Sequence, residues 1–221
     1  MSEAKSPDLA EPRPARRRTV DRSAATREKI LAATVDCLYS LGYHPTTTVV
    51  VTERAGVSRG AMLHHFPSKA DLMIATIQYV RDQMSITHQE KLAPIPDVRE
   101  RFRALVDVLW AQFRQPLGVA RIELLLASRS DPVCGPYSAS LTVELDRRHK
   151  EAIWPLAQRL GFTDRKTADA IVQLYAAAVR GLAIDALQPA LRSGAQNAIN
   201  LLRDTMLLWA DRQAQAAENR P

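Results

Sequence analysis

Residues 55 to 69 read AGVSRGAMLHHFPSK and end a short helical segment on two adjacent histidines, His64 and His65. Paired imidazoles invite a metal site or general acid–base chemistry. Successive positions on a helix point about 100° apart, so the two rings diverge and do not close on one ion. No His-x-x-x-His, Glu-x-x-His or cysteine pair supports them, and Cys37 and Cys134, the 2 cysteines of the chain, are wrong in number and spacing for structural zinc. His88 and His149 could join a site only through the fold, and no serine or cysteine elbow is present. The spacing therefore predicts no catalytic residue, no metal and no cofactor. It leaves a second kind of chemistry for this stretch, the gripping of a partner.

Ser58 can cap a helix whose outward residues are Arg59, Gly60, Ala61, Leu63 and His64. Thr52, Gly56 four residues on and Met62 six beyond that fit a helix-turn-helix, with a small residue at the crossing, a glycine in the turn and an apolar packing residue. Such a second helix enters a DNA major groove. Arg59 could donate two hydrogen bonds to guanine, and Ala61 and Leu63 could touch thymine methyl groups. Thr47 or Thr48, at the start of the preceding helix, and Lys69 suit phosphate contacts, with Tyr43 or His44 adding another, Gly60 allowing close backbone approach and His64 facing the phosphates. Gly60 costs roughly 1 kcal/mol of helix propensity against Ala. A merely tolerated glycine is the bland alternative. Arg13, Arg16, Arg17 and Arg18 could act as a flexible arm along DNA, or as a solubilising tail.

The elements that must position these residues follow from periodicity. TREKILAATVDCLYSLG places Ile30, Leu31, Val35, Leu38 and Leu41 at helical spacing and stops at Gly42. The run Thr48 to Thr52 is β-branched and by propensity a strand. Its brevity, the missing hairpin partner and the Glu53-Arg54-Ala55 lead into a turn favour a helix from Thr48 to Ala55. Ser68 and Asp71 form a capping box for a long fourth helix. LAPIP, with prolines 94 and 96, then divides the chain.

At 221 residues, 46% hydrophobic and 24% charged, the chain is long enough for a sizeable core without disulfides. The formal charge of +6 suits a polyanion, and its excess lies toward the amino-terminal part. The amino terminus lacks an apolar signal core, and no run of 18 uncharged apolar residues occurs, which points to a cytoplasmic protein with no membrane partner. Helix after helix follows residue 97: 98 to 114, a segment after Pro116, about 138 to 160, a segment capped at Thr163, and about 193 to 213. The last two are apolar around more than one stripe. Either they are buried on several sides of a monomer, or a second face, with Ile171, Tyr175, Val179, Leu182, Leu202, Met206 and Trp209, meets another copy. Candidates for a ligand pocket are Trp110, Phe113, Arg114, Arg121, Glu123, Tyr137, His149, Trp154, Tyr175 and Arg180, which combine aromatic walls with polar handles. For the tryptophans and Phe113, plain core is the competing reading; for Arg121 and Glu123, an ion pair.

The stretch TTTVVVTERAGVSRGAMLHHFPSKADLM, after a helix ending in YSLGYHPTT, resembles the DNA-binding domain of the TetR family of bacterial transcriptional regulators. The matching motifs are the Thr pair, Ala55-Gly56-Val57-Ser58, Gly60, His65-Phe66, Lys69 and Leu72. The resemblance implies an all-α protein with an N-terminal three-helix, helix-turn-helix DNA-binding domain and a C-terminal helical ligand-binding and dimerisation domain. The expected plan is a flexible basic arm over 1 to 22, a DNA-binding domain over 23 to 72, an effector and dimerisation domain over 73 to 213 and a flexible tail over 214 to 221. It implies a homodimer through the last two long helices on palindromic operator DNA, released by a small-molecule effector, with a hydrophobic one expected here. A ligand-independent regulator or activator, and more remotely a non-DNA helical interaction protein, remain alternatives. Two departures stand out: Leu63 occupies a place where the family usually has tyrosine, and Val49, Val50 and Thr52 replace its usual charged residues and alanine.

Overall fold

The computed structural model describes the backbone of residues 14 to 218, and the side chains of residues 21 to 213 and 215. Regular structure among the described residues is all helical: α1 (Pro14–Leu41), α2 (Thr48–Ala55), α3 (Arg59–His65), α4 (Lys69–Leu92), α5 (Val98–Phe113), α6 (Pro116–Ala127), α7 (Cys134–Arg159), α8 (Arg165–Asp185), a 3-10 turn at Pro189–Leu191, and α9 (Arg192–Glu218). The β-branched run of α2 is helical because its ends are fixed. Thr47 accepts from the Val50 amide, and Gly56 closes the helix at φ 59°, a left-handed conformation that costs glycine little. Ser58 caps α3 through the Ala61 amide, and Ser68 and Asp71 form the reciprocal box at α4.

Four boundaries differ from expectation. The stretch 14 to 22, expected as part of a flexible arm, is the start of α1; Pro14 begins it and Ala and Arg are good helix formers. Arg13 lies outside the described residues, and Arg16, Arg17 and Arg18 stand on the first turns of α1, their side chains outside those described. At the other end α9 runs through 214 to 218 of the expected tail. The break before α7 is shorter than Pro132, Gly135 and Pro136 suggest, since Asp131 accepts from the Val133 and Cys134 amides at 2.9 and 2.8 Å and starts the helix at Cys134. Pro136 then falls in a first turn, where no intrahelical donor is lost. Finally, Asp164 rather than Thr163 caps α8, accepting from the Lys166 and Thr167 amides.

Helices α1 to α3 wrap a small core of Ile30, Leu31, Leu38, Val51, Met62 and Phe66, closed by Leu72 from α4. Val50 packs against it while Val49 stays exposed. The remaining helices form a bundle in which α5 lies between α8 and α9 on one side and α4 and α6 on the other. The two parts meet where α1 and α4 pack on α6. Among the described helices, α8 has the length and apolar composition of a membrane span. Its inner face, with Ile171, Tyr175, Val179 and Ala183, is buried in the bundle, and its outer face leaves Leu174 63% and Ile184 42% exposed.

Candidate DNA-reading helix and ligand cavity

On α3, the side of Met62 is buried, while Arg59, Gly60, Leu63 and His64 are exposed and Ala61 is half-buried. A methyl group placed at Gly60 would meet only Ser58 Oγ, at 3.9 Å, so internal packing does not demand glycine there. Leu63 is 45% exposed, an apolar side chain held out beside Arg59 and His64 without a neighbour to cover it. His64 and His65 stand with ring centroids 5.3 Å apart and edge to face. Burial, then His64 and Arg27, lower the His65 pKa, and this ring is the half-buried, inward member of the pair. Among the described residues no group of three metal-ligating side chains occurs.

The turn before α2 is built differently from a simple phosphate cradle. Tyr43 is turned inward: its hydroxyl donates to Asp131 Oδ2 at 2.7 Å, and its amide donates to Glu123 Oε2 at 3.1 Å. Burial first, then Asp131, raise the phenol pKa, so the hydroxyl remains a donor. Lys69 Nζ lies 4.7 Å above the Tyr43 ring and donates to the Tyr43 and His44 carbonyls at 3.1 and 3.3 Å. Two of its three donors are therefore committed within the chain, and burial lowers its pKa. Of the two residues expected at the DNA backbone, Tyr43 ties the turn before α2 to Glu123 of α6 and to Asp131, and Lys69 pins the carbonyls of that turn to the start of α4. His44 and Thr47 remain exposed, and Thr48 is half-buried at the start of α2.

Glu123 belongs to the same joint. It points at the α1–α2 turn and forms no ion pair with Arg121, because two residues along α6 rotate the side chains about 200° apart. Arg121 instead enters a cavity of about 710 Å³, including the part open to solvent, between α4, α5, α6, α7, α8 and α9. Of the pocket candidates, Phe113, Arg121, His149, Tyr175 and Arg180 line it. Trp110, Arg114, Tyr137 and Trp154 do not. Trp110 is buried against α9 with its indole donating to Gln196 at 3.0 Å, and the Arg114 guanidinium covers that ring from outside. Tyr137 meets Gln78 on α4, and Trp154 lies beneath Arg165. The sequence reading missed His88, Phe102, Leu105, Leu109, Ile153 and Val172, which complete the walls. Phe102 and Leu105 carried a signal, since they stand on the apolar face of α5. His88 carried none, because only the fold brings it within 6.1 Å of His149.

Ile171, Tyr175, Val179 and Met206, named above for a dimer face, are buried inside the bundle, and Ile171, Tyr175 and Met206 also line the cavity. Leu182 and Leu202 are half-buried against the same core. The helical stripe that faces outward is one step round: Leu174, Ala177, Gly181 and Ile184 on α8, and Leu201, Leu208 and Trp209 on α9. A side chain at Gly181 would meet nothing within 4 Å.

A helix-turn-helix with an exposed, arginine-bearing second helix, joined by one long helix to an all-α bundle, is the architecture of a DNA-binding transcriptional regulator. The family model of bacterial regulatory proteins, tetR family, matches residues 30 to 76. The HTH-type transcriptional regulator CymR of Pseudomonas putida is 30% identical over 174 residues, which span 79% of this chain and 85% of CymR. The chain belongs to the TetR family and is a regulator, not an enzyme. A transcriptional regulator from Rhodococcus sp. Rha1 shares the fold at 22% identity, with a TM-score of 0.69 over 84% of this chain and 97% of that one. So does a regulator from Saccharomonospora viridis in complex with choline, at 19% identity and TM-score 0.63 over 83% and 94%.

Proposed function

We propose that the protein is a ligand-responsive repressor that binds palindromic operator DNA as a homodimer and leaves it when a small molecule enters the bundle cavity. One observation carries this reading: α6 bears Arg121 in the cavity and Glu123 on the α1–α2 turn, so one rigid helix touches both sites. A ligand that shifts α6 changes the seat of the reading head. For a 100-fold change in operator affinity it must favour the released state by about 2.7 kcal/mol. A regulator of the same fold from S. viridis forms a complex with a small molecule, choline, which is in keeping with a ligand-responsive protein.

In this reading Arg59, Ala61 and Leu63 face base edges, and Gly60 lets α3 sit deep in the groove. His64, His44, Thr47 and Thr48 hold phosphates, helped by the arginines at the start of α1. Lys69 and Tyr43 act indirectly, by fixing the turn that carries His44 and Thr47. The homodimer uses the outward stripe of α8 and α9: Leu174, Leu201 and Leu208 are each at least 60% exposed, which is costly for aligned leucines unless a copy covers them. The protein works in the cytoplasm, where its DNA is. The reading is tested by fluorescence anisotropy of a selected operator duplex against a metabolite panel. Ligand-induced loss of binding is expected. Sequence-specific binding unaffected by any compound would favour the ligand-independent regulator instead.

A further inference from the structure

The cavity holds two guanidinium groups and no acid. Arg121 and Arg180 both line it, and among the described residues neither meets a carboxylate at ion-pair distance. The contacts of Arg121 are a 4.0 Å approach of Nη1 to the Met84 sulfur and a position 5.6 Å from the centre of the Phe113 ring. Both are weak partners for a group with five N–H donors. Among the described residues no sealed side-chain nitrogen lacks a partner, so the unused guanidinium nitrogens have open space beside them, in this cavity or in the smaller pocket next to it that Arg121 and Arg180 also line. Burial, then the neighbouring Arg180, push the Arg121 pKa down to about 10, which still leaves it charged at neutral pH. Asp146 on α7, whose charge reaches His149, is paired with Lys150 at 2.6 Å. His88 and His149 are held neutral by burial and add hydrogen-bonding groups but no negative charge.

A cation enclosed in an apolar cavity is unfavourable unless an anion completes it. Apart from His88, His149 and Tyr175, the rest of the wall, with Phe102, Leu105, Leu109, Ile153 and Val172, is hydrocarbon. We infer that the effector is an amphipathic carboxylate whose acid group is held by the Arg121 fork, with Arg180 beside it, and whose apolar body lies against α5 and α7. This refines the expectation of a mainly hydrophobic ligand. It rests on the ligand-responsive reading for its regulatory meaning, but not for the binding itself.

The test uses the full-length protein and a series of linear carboxylates from butyrate to decanoate, with benzoate and 3-phenylpropionate, each beside its primary amide. Binding is followed by calorimetry and by thermal stabilisation at fixed ionic strength. At least one carboxylate is expected to bind about 10- to 100-fold more tightly than its amide, the value of a charge-assisted bidentate contact. Arg121→Met should abolish that preference. Its ligand-free Tm should match or exceed that of the wild type, because an unpaired enclosed charge has been replaced by a thioether of similar length. Arg121→Lys, which keeps the charge without the fork, should recover part of the preference. Equal binding of acids and amides, no binding by either, or the same stabilisation by sodium chloride alone would overturn the inference. Carboxylate binding that leaves operator affinity unchanged would instead sink the switch and spare the site.

Discussion

Changing Tyr43 to Phe removes one hydroxyl from the joint between the reading head and the bundle and leaves the ring in place beneath Lys69. The hydroxyl bonds to Asp131 Oδ2 at 2.7 Å, in a part-buried setting. A hydrogen bond to a charged group contributes about 1.5 to 3 kcal/mol, and partial exposure of Asp131 brings the expectation to about 1 to 2. For a chain of this size each kcal/mol moves Tm by about 2 to 4 °C, so Y43F should melt roughly 2 to 8 °C lower. Asp131→Ala should cost more, because the Val133 and Cys134 amides at the start of α7 also lose their acceptor. If the Tyr43–Asp131 contact is the link, the double mutant will be less destabilised than the sum of the singles by about 1 kcal/mol or more. Urea unfolding supplies the energies. Hydrogen exchange adds the location, since the Tyr43 amide, bonded to Glu123 at 3.1 Å, should exchange faster in Y43F. Additive single mutants together with unchanged exchange at Tyr43 would show that the joint is held by other means.

The outward apolar stripe predicts that Leu201→Glu, at a position 66% exposed, yields a folded monomer by light scattering with unchanged helical content, whereas a change confined to stability would refute that interface. His88 is held at a pKa of about 4 against an ordinary 6.5, first by burial and then by His149. Between those values the unfolded chain takes up a proton that the folded chain refuses, so stability is full above pH 6.5 and falls as the pH drops toward 4. At about 1.36 kcal/mol per pH unit the loss by pH 5 is about 2 kcal/mol, and urea midpoints of His88→Gln at pH 7 and 5 should differ less than those of wild type. His149 shifts in the same direction and will leave part of the dependence in place.

How much of this could be read from residues alone depended on the range of the interactions. Thr47, Gly56, Ser58 and the Ser68–Asp71 box act within four residues of themselves, so the helix-turn-helix and its caps were legible, even against the strand propensity of α2. The start of α7 was not, because Asp131, which accepts from its first amides, sits before a Pro-Val-Cys-Gly-Pro run that reads as a break. Tyr43 and Lys69 looked like phosphate anchors because a polar residue at a helix end usually meets solvent or a ligand. The partners of Tyr43 are 80 and 88 residues away, and those of Lys69 are 26 and 25. The cavity mixed success and failure for a like reason. Arg121, His149 and Tyr175 are the unusual polar residues on apolar helices and could be picked out, whereas the direction in which Trp110 or Trp154 points is settled by packing. The outward stripe of α8 lies about 100° round from the α8 residues expected at a dimer face: periodicity finds both apolar faces of α8 but does not say which one the bundle takes.

In the proposed function α3 reads DNA through Arg59 and its exposed neighbours. Selection of bound sequences from random duplex DNA, carried out with wild type and with Arg59→Ala, tests it most directly. A palindromic consensus for the wild type that loosens at one position in each half-site, with a cost of about 1 to 3 kcal/mol at that position, is the expected result. The same consensus from both proteins, or none from either, would contradict the account.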